Sequence, residues 1–133
     1  MRTLSLLDAT KWQKEPSPAL VPDRPLDDRR ILCPWVVPVA GGFRLFYMGH
    51  GSASPRGALG RILSARSDDG VIWTKEDGVR IDNEGETRGR ALSPCVIRRA
   101  DGGFRMYFEA RSDDDGTGSV ILSARSDDEG LTF

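Results

Sequence analysis

The sequence predicts an all-β chain built from two repeated units of short antiparallel strands. The octapeptide ILSARSDD occurs at residues 62–69 and again at residues 121–128. The similarity extends beyond it, because GGFRLFYMG from Gly41 matches GGFRMYFEA from Gly102, and LCP from Leu32 matches LSP from Leu92. The repeat period is therefore about 60 residues, and no segment shows a convincing helical period.

Each unit consists of short predicted strands joined by turn sequences. WVVPV and CVIRR are β-rich runs, and each is followed by a glycine pair that is typical of a hairpin turn. FRLFYM and FRMYFE are aromatic-rich strands, and RILSARS and VILSARS alternate with a period of two. VIWTKE begins a fourth strand in the first unit. Four antiparallel strands per repeat is the blade unit of a β-propeller; a β-sandwich with a chance duplication is the alternative.

These strands predict a single partial propeller domain over residues 1–133. Residues 1–28 would form an N-terminal outer strand and linker, residues 29–85 a first blade, and residues 88–133 a second blade truncated in its last hairpin. The segment DATKWQKEPSPALVP, from Asp8, resembles DDGVIWTKEDGVRID, from Asp68, with Trp12 in the place of Trp73. We therefore interpret residues 1–22 as an outer strand that would complete the last blade of a propeller closed by exchange of strands between its termini.

The second octapeptide runs into SDDEGLTF, residues 126–133, which fits the pattern S-x-D-x-G-x-T-aromatic. This stretch resembles the Asp-box hairpin of sialidases and related propellers. The sequence SDDGVIW, residues 67–73, is the same motif with one residue fewer. The serine and aspartate should bond turn amides, the glycine should take the strained position, and the aromatic ring should pack back. A structural role is therefore expected for Ser67, Asp69, Gly70, Trp73, Ser126, Asp128, Gly130 and Phe133.

The strings KWQKEPSPALVP, CPWVVPVAGGFRLFYMG and ILSARSDDGVIW together resemble the five-bladed propeller superfamily of glycoside-processing enzymes. That group includes arabinanase-, fructosidase- and levansucrase-like hydrolases and the mannoside phosphorylases. The resemblance covers nearly the whole chain. It implies an incomplete five-bladed propeller, a carbohydrate or glycoside ligand, and completion of the ring by self-association or by continuation into further blades.

Glycoside hydrolysis needs two carboxylates that flank the scissile bond. In the resembled hydrolases, carboxylates stand on the inner strands, often just before a proline, where this chain has Cys33 and Ser93. The usual pair is therefore not supplied here, and the catalytic residues are unknown from the sequence. Asp28 and Glu109 are the remaining candidates, although Glu109 could equally pair with Arg111 at an exposed strand end.

Polar residues cluster just before the predicted inner strands. DDRR at residues 27–30 aligns with TRGR at residues 87–90, so Arg30 and Arg90 are equivalent in the repeat. Arginines there could bind sugar hydroxyls, a carboxylate or a phosphate. The alternative is a solvated loop in which Asp27, Asp28 and Arg29 form local ion pairs. The substrate-binding candidates are Arg30, Arg88, Arg90 and His50, the last in a Gly/Ser-rich loop.

Neither a metal site nor a cofactor is predicted. His50 is the single histidine, which excludes a multi-histidine site within one chain. The run Asp113-Asp114-Asp115 lacks the spaced ligands of a calcium loop and is more typical of a solvated hairpin tip. Cys33 and Cys95 lie in apolar runs and are expected to be small buried thiols rather than a disulfide framework.

Charge and hydropathy exclude several classes of partner. The 19 basic and 20 acidic residues argue against a nucleic-acid or anionic-membrane surface. No apolar run approaches the ~20 residues that span a bilayer. The N-terminal residues lack a small-residue cleavage site, so a cytoplasmic protein is the simplest expectation.

Two classes of function remain open from the sequence. One is an enzymatic part of a glycoside hydrolase or phosphorylase-like propeller. The other is a non-catalytic carbohydrate-binding or scaffold module derived from a propeller. The absence of carboxylates at Cys33 and Ser93 favours the second for this chain alone, and the resemblance favours the first for an assembled protein. A sialidase would need several arginines around a substrate carboxylate, and Arg30 and Arg90 alone are too few.

Overall fold

A computed structural model describes residues 13–54, 56, 58–112 and 117–133, and it confirms the predicted all-β fold. Within these residues the one helical element is a 3-10 turn at Gly85–Thr87. No helix in the described ranges is long and apolar enough to cross a bilayer. The strands are β1 (Arg30–Val39), β2 (Gly42–His50), β3 (Arg61–Ser67), β4 (Thr74–Lys75), β5 (Leu92–Arg98), β6 (Phe104–Arg111) and β7 (Ser119–Ser126).

The strands form two antiparallel sheets in simple sequential order. Sheet 1 is β1-β2-β3-β4 and sheet 2 is β5-β6-β7. Both first hairpins have the same register, since Leu32 lies opposite Met48 in sheet 1 and Leu92 lies opposite Glu109 in sheet 2. Two antiparallel sheets that repeat one design in this way are consistent with partial propeller blades.

The glycine pairs of the two hairpins have matching surroundings. Gly41 and Gly102 have φ of 72° and 94°, in the region that favours glycine. A Cβ on Gly42 would lie 2.3 Å from the carbonyl oxygen of Ser67, and one on Gly103 would lie 2.6 Å from that of Ser126. The second glycine of each pair is therefore required by the close approach of the Asp-box turn.

Each sheet has two faces, because successive side chains on a strand point to opposite sides. We call the face that contains Leu45 and Tyr47 in sheet 1, and Met106 and Phe108 in sheet 2, the leading face. The leading face of sheet 2 packs on the opposite, trailing face of sheet 1 and forms the main core. The leading face of sheet 1 packs against residues that precede β1, among them Leu20.

The trailing faces of the two sheets differ sharply in exposure. In sheet 1, Phe46 and Ile62 are 0% exposed because sheet 2 covers them. The corresponding residues of sheet 2 are Tyr107 and Ile121, which are 39% and 69% exposed. Nothing in the described residues covers this trailing face of sheet 2.

The segment before β1 is fixed to sheet 1 by a buried carboxylate. Asp27 is fully buried, and its Oδ2 lies 2.6 Å from Lys75 Nζ and accepts a hydrogen bond of 2.9 Å from the Tyr47 hydroxyl. Burial alone would raise the pKa of Asp27, but the bonds from Lys75 and Tyr47 outweigh it and lower the pKa. The expectation of a solvated loop is therefore wrong for Asp27, which is buried and bonds two residues far along the chain.

The predicted N-terminal outer strand near Trp12 lies outside the described residues. Residues 13–28 contain no strand, although bends and turns occur among them. The fourth strand of sheet 1 is limited to two residues, which pair with Ala65 and Arg66 of β3. In sheet 2 the outer edge of β7 has no described partner strand.

The two turns predicted to be Asp-box turns have equivalent hydrogen bonds. Asp69 Oδ1 accepts from the backbone amides of Val71 and Ile72 at 2.8 and 2.9 Å. Asp128 Oδ1 accepts from those of Leu131 and Thr132 at 3.1 and 2.9 Å. In each turn a serine Oγ, that of Ser67 or Ser126, accepts from the amide of the turn glycine at 2.8 Å.

The aromatic residues of these turns also occupy corresponding positions. Trp73 packs against the leading face of sheet 1, and Phe133 packs at the leading face of sheet 2. The Phe133 ring meets Phe46 of sheet 1 edge-on, with centroids 5.8 Å apart. The second turn therefore contributes directly to the contact between the sheets.

We expect the Asp-box carboxylates to make the fold sensitive to acid. Burial opposes ionisation of Asp128, but the hydrogen bonds from Thr132 and Ser126 together outweigh it and hold its pKa well below the usual range. A carboxylate with a lowered pKa stabilises the fold above its unfolded pKa of about 4, and this stabilisation is lost as the pH falls through the folded pKa. Urea unfolding from pH 7 to pH 2 should show this loss.

The variant Asp128→Asn should be less stable than the wild type at pH 7, and the difference should shrink below about pH 4. Asp77→Asn is the matched control, since Asp77 is fully exposed in its pair with Arg24 and the same change there should have little effect. A stability difference for Asp128→Asn that stays constant with pH would contradict a structural role for the charge.

Candidate functional site

The inner strands β1 and β5 each contain one residue with an unusual backbone conformation. Cys33 and Ser93 have φ of 55° and 52°, although neither is glycine and each precedes a proline. A non-glycine residue in this region costs of order 1–3 kcal/mol, and a residue before proline ordinarily stays extended. Such outliers concentrate at functional sites, so these two positions define the candidate site.

The two strained residues lie in equivalent β-bulges. The pairing of β1 with β2 shifts between Leu32 and Trp35, and the pairing of β5 with β6 shifts between Leu92 and Cys95. A bulge bends its strand and redirects a side chain. Both bulges occur at the same position of the repeat, so this conformation is a feature of the repeating unit.

The bulges bring two polar side chains together at the surface. Ser93 Oγ lies 3.7 Å from Cys33 Sγ, and both residues are exposed. The expectation of a buried thiol is therefore wrong for Cys33, because the bulge turns its side chain outward. Cys95 is half-buried, and both cysteines are free.

Trp35 connects the inner strands beside this pair. Its indole Nε1 donates a hydrogen bond of 2.8 Å to the backbone oxygen of Val96 in β5. The ring remains 39% exposed, which leaves part of an aromatic surface two residues from Cys33. Sequence reasoning missed Trp35 as a site residue; its place directly after Pro34 in the inner strand was the available signal.

An apolar cavity of about 240 Å³ lies on the other side of β1. It is lined by Leu32 and Pro34 from the bulge, by Leu45 and Tyr47 from the leading face of sheet 1, and by other apolar residues. None of the polar residues predicted to bind substrate lines it. The cavity can accommodate apolar groups next to the bulge but does not itself bring catalytic groups together.

The predicted carboxylates have fixed partners. Asp28 accepts hydrogen bonds from the amide and the hydroxyl of Ser52 at 2.7 and 2.5 Å, and these bonds lower its pKa. Glu109 accepts from Ser119 Oγ at 2.8 Å and from Arg90 Nη1 at 3.2 Å. Arg90 is therefore an ion-pair partner of Glu109, where the sequence suggested Arg111. An ionised, hydrogen-bonded Asp28 is poorly suited to donate a proton as a general acid.

The predicted binding residues lie where the sheets begin, but in different environments. Arg30, the first residue of β1, is exposed and lies opposite His50 in the β1–β2 register. His50 is thus the last residue of a strand and not part of the loop. Arg90 is mostly buried and bonds Glu109 and Ser119, while Arg88 ends the 3-10 turn. Arg30 and Arg90 are equivalent in sequence but not in their contacts.

No group of three His, Cys, Asp or Glu side chains within the described ranges is placed to hold a metal ion. The predicted hairpin tip at residues 113–115 lies outside those ranges. The arrangement at Cys33, Ser93 and Trp35 instead offers hydrogen-bonding groups beside an aromatic surface. Such a combination suits a neutral polar ligand with an apolar face.

Comparison with known proteins finds a solved structure with a similar fold and relatives that are named as uncharacterized proteins. No family model matches the chain. Two Mycobacterium tuberculosis proteins, uncharacterized protein MT1551 and uncharacterized protein Rv1502, are each 35% identical over 127 residues, which is 92% of this chain. The match covers 39% of each relative, so the chain spans about two fifths of the length of the curated relatives it matches.

One solved structure has a similar fold. It is the crystal structure of a putative glycosidase from Bacteroides thetaiotaomicron, with a TM-score of 0.59 and 20% sequence identity. The match covers 76% of this chain and 30% of that one. At this identity the likeness shows a shared fold alone.

We expect glycine at either strained position to stabilise the fold. Ser93→Gly removes the steric cost of a positive φ, which exceeds the entropic cost of glycine, so the free energy of unfolding should rise by about 0.5–1 kcal/mol. Ser123→Gly is the matched control in the regular strand β7, where the same substitution should lower it by about 0.5–1 kcal/mol. Chemical denaturation measures both; destabilisation by Ser93→Gly would show that the bulge is not strained.

Proposed function

We propose that this chain is part of a carbohydrate-active propeller of the five-bladed glycoside hydrolase and phosphorylase superfamily. In this proposal it binds a carbohydrate at the inner-strand bulges. The single observation that carries the proposal is the pair of equivalent strained residues, Cys33 and Ser93, whose side chains meet at 3.7 Å on adjacent inner strands. The likeness to a putative glycosidase and the greater length of the Mycobacterium relatives support it.

The chemistry of the bulges suits recognition of a sugar. The Ser93 hydroxyl can both donate and accept a hydrogen bond, as sugar hydroxyls require. The exposed part of the Trp35 ring can pack against the apolar face of a pyranose or furanose ring. Arg30 and His50 lie at the start of the same inner hairpin and could contact a more distant hydroxyl or acidic group of an extended ligand.

The same site does not by itself provide for hydrolysis. Both pre-proline positions lack a carboxylate, and Asp28 and Glu109 are held by Ser52, Arg90 and Ser119. Two free carboxylates at a suitable separation are needed to cleave a glycosidic bond. In the proposal the catalytic pair would come from further blades. The alternative is a non-catalytic carbohydrate-binding module, which these fixed carboxylates favour for the 133-residue chain taken alone.

Binding and turnover can be measured separately on this chain. Isothermal titration with arabino-, fructo- and manno-oligosaccharides should find a ligand, and Ser93→Ala should weaken it about three- to tenfold by loss of a hydrogen bond. Ser112→Ala is the control, since Ser112 lies outside the bulges. Assays with chromogenic glycosides should show no turnover.

Two outcomes would contradict parts of this account. If none of the oligosaccharides binds, or if Ser93→Ala and Ser112→Ala bind equally well, the bulges are not the carbohydrate site. If the isolated chain hydrolyses a glycoside, the fixed carboxylates have been misjudged and the enzymatic function belongs to this chain.

A further inference from the structure

Two basic side chains lie opposite each other at the open end of the β1–β2 hairpin. Arg30 begins β1, His50 ends β2, and the two residues are partners in the strand register. The Cβ atoms of such cross-strand partners are about 4.5–5.5 Å apart. A single acceptor group placed above the pair is therefore within reach of both side chains.

The backbone around this pair is fixed by hydrogen bonds. The amide of Arg29 donates to the backbone oxygen of His50 at 3.1 Å, which closes the end of the hairpin. The amide and the hydroxyl of Ser52 donate to Asp28, and these bonds, together with the nearby charges of Arg29 and His50, lower the pKa of Asp28. Asp28 is therefore an ionised carboxylate that already has its hydrogen bonds, and none of them comes from Arg30.

Neither member of the pair has a bonded partner in the part of the chain that the structure describes. The exposed guanidinium of Arg30 and the half-buried ring of His50 make no hydrogen bond or ion pair with any described residue. An arginine presents five N–H donors in a planar fork that matches the two oxygens of a carboxylate. The donors of this pair are therefore available to a ligand.

The second repeat contains the same arginine together with a carboxylate. Arg90 takes the place of Arg30, and Glu109 takes the place of Met48, since each of the last two lies opposite the leucine of its inner strand. Glu109 Oε1 lies 3.2 Å from Arg90 Nη1 and forms an ion pair with it. Met48 is apolar and buried, so it offers no such oxygen. The first repeat thus has the arginine without the internal carboxylate.

Alternation along the strands directs the basic pair towards sheet 2. His50 follows Phe46 by four residues on β2, so both lie on the trailing side of sheet 1, on which sheet 2 packs. Arg30 shares that side as the register partner of His50. Cys33 follows Arg30 by three residues, so the pair lies roughly 10 Å along β1 from the bulges. A ligand that occupies both places must be longer than one sugar ring.

We propose that Arg30 and His50 bind the carboxylate of an acidic sugar, so that the ligand of this chain is an oligosaccharide that contains a uronic acid. This inference rests on the proposed carbohydrate site at the bulges and specifies its substrate class. The fork of Arg30 donates to the carboxylate and the His50 ring adds one N–H. A neighbouring unit of the same ligand packs on Trp35 and bonds Ser93. The pair of Arg90 with Glu109 is the template, and it favours a carboxylate over a phosphate.

Paired disaccharides of the same linkage isolate the contribution of the carboxylate. Mannuronate and mannose disaccharides form one pair, and galacturonate and galactose disaccharides form another; within each pair a carboxylate replaces a hydroxymethyl group. In calorimetric or NMR titrations at low salt, the acidic member of at least one pair should bind about five- to tenfold more tightly than its neutral counterpart. The difference should shrink as salt is added, because the pair is exposed to solvent.

Variants at Arg30 assign this preference to the basic pair. Arg30→Gln should bind the acidic and neutral members equally, and Arg30→Lys should keep part of the preference, since it retains the charge without the fork. Arg125→Gln is the matched control, because it removes the same charge from an exposed position at the opposite end of sheet 2 and should behave as the wild type. Arg30 is exposed, so its variants should fold normally, which circular dichroism checks.

The possible results separate this inference from the function on which it rests. If neutral disaccharides bind in a manner that depends on Ser93 but the acidic ones bind no better, the inference fails and the carbohydrate site stands. If no disaccharide of either kind binds, the carbohydrate site fails as well. Equal loss of preference in Arg125→Gln and Arg30→Gln would mean that only the overall charge matters. Tighter binding of inorganic phosphate than of either uronate would overturn the assignment to a carboxylate.

Discussion

The packing of sheet 2 on the trailing face of sheet 1 is the interaction on which the other features depend. Phe46 and Ile62 are fully buried there, and Phe133 from the second Asp-box turn meets Phe46 edge-on. The alternation of side chains on a strand means that a shift of register by one residue would exchange the two faces of a sheet. The bulges, the glycine turns and the Asp-box turns all constrain this register, and they therefore determine which face of each sheet is buried.

This packing places the inner strands β1 and β5 side by side. Polar contacts reinforce it, since Arg44 bonds the backbone oxygen of Glu129, and Arg98 Nη2 donates to the oxygen of Pro38 at 3.0 Å. The strained conformations of Cys33 and Ser93 can persist because the structure around them is fixed from several sides. The candidate site is therefore a product of the contact between the two repeats and does not exist in one repeat alone.

The sequence predicted the features that depend on local chemistry and on the repeat. Gly41 and Gly102 identified the hairpin turns because glycine accepts a positive φ, and the repeated octapeptide identified the period. The backbone of Cys33 and Ser93 could not be predicted in the same way. A residue before proline is expected to be extended, and neither side chain favours the left-handed region.

Partners that lie far apart in sequence were equally beyond prediction. Asp27 stood in a charged stretch that is typical of a solvated loop, yet it is buried and bonds Lys75 and Tyr47. The repeat also predicted that Arg30 and Arg90 would be equivalent, but their contacts differ. Arg90 follows sheet 1, so Gly60 of the preceding unit bridges to it. Glu109 bonds Arg90 from within the second repeat, where the first repeat has Met48.

The central claim is that the inner strands of the two repeats meet at their bulges. Formation of a disulfide bond between the two strands can test it. Ser93→Cys replaces the hydroxyl that lies 3.7 Å from Cys33 Sγ, so mild oxidation should join the introduced thiol to Cys33 with a small adjustment. Peptide mapping by mass spectrometry should find this disulfide, with Cys95 still free. If the introduced thiol stays reduced, or if it pairs with Cys95 or between molecules instead, the two repeats do not stack as adjacent blades and the site at the bulges is not formed.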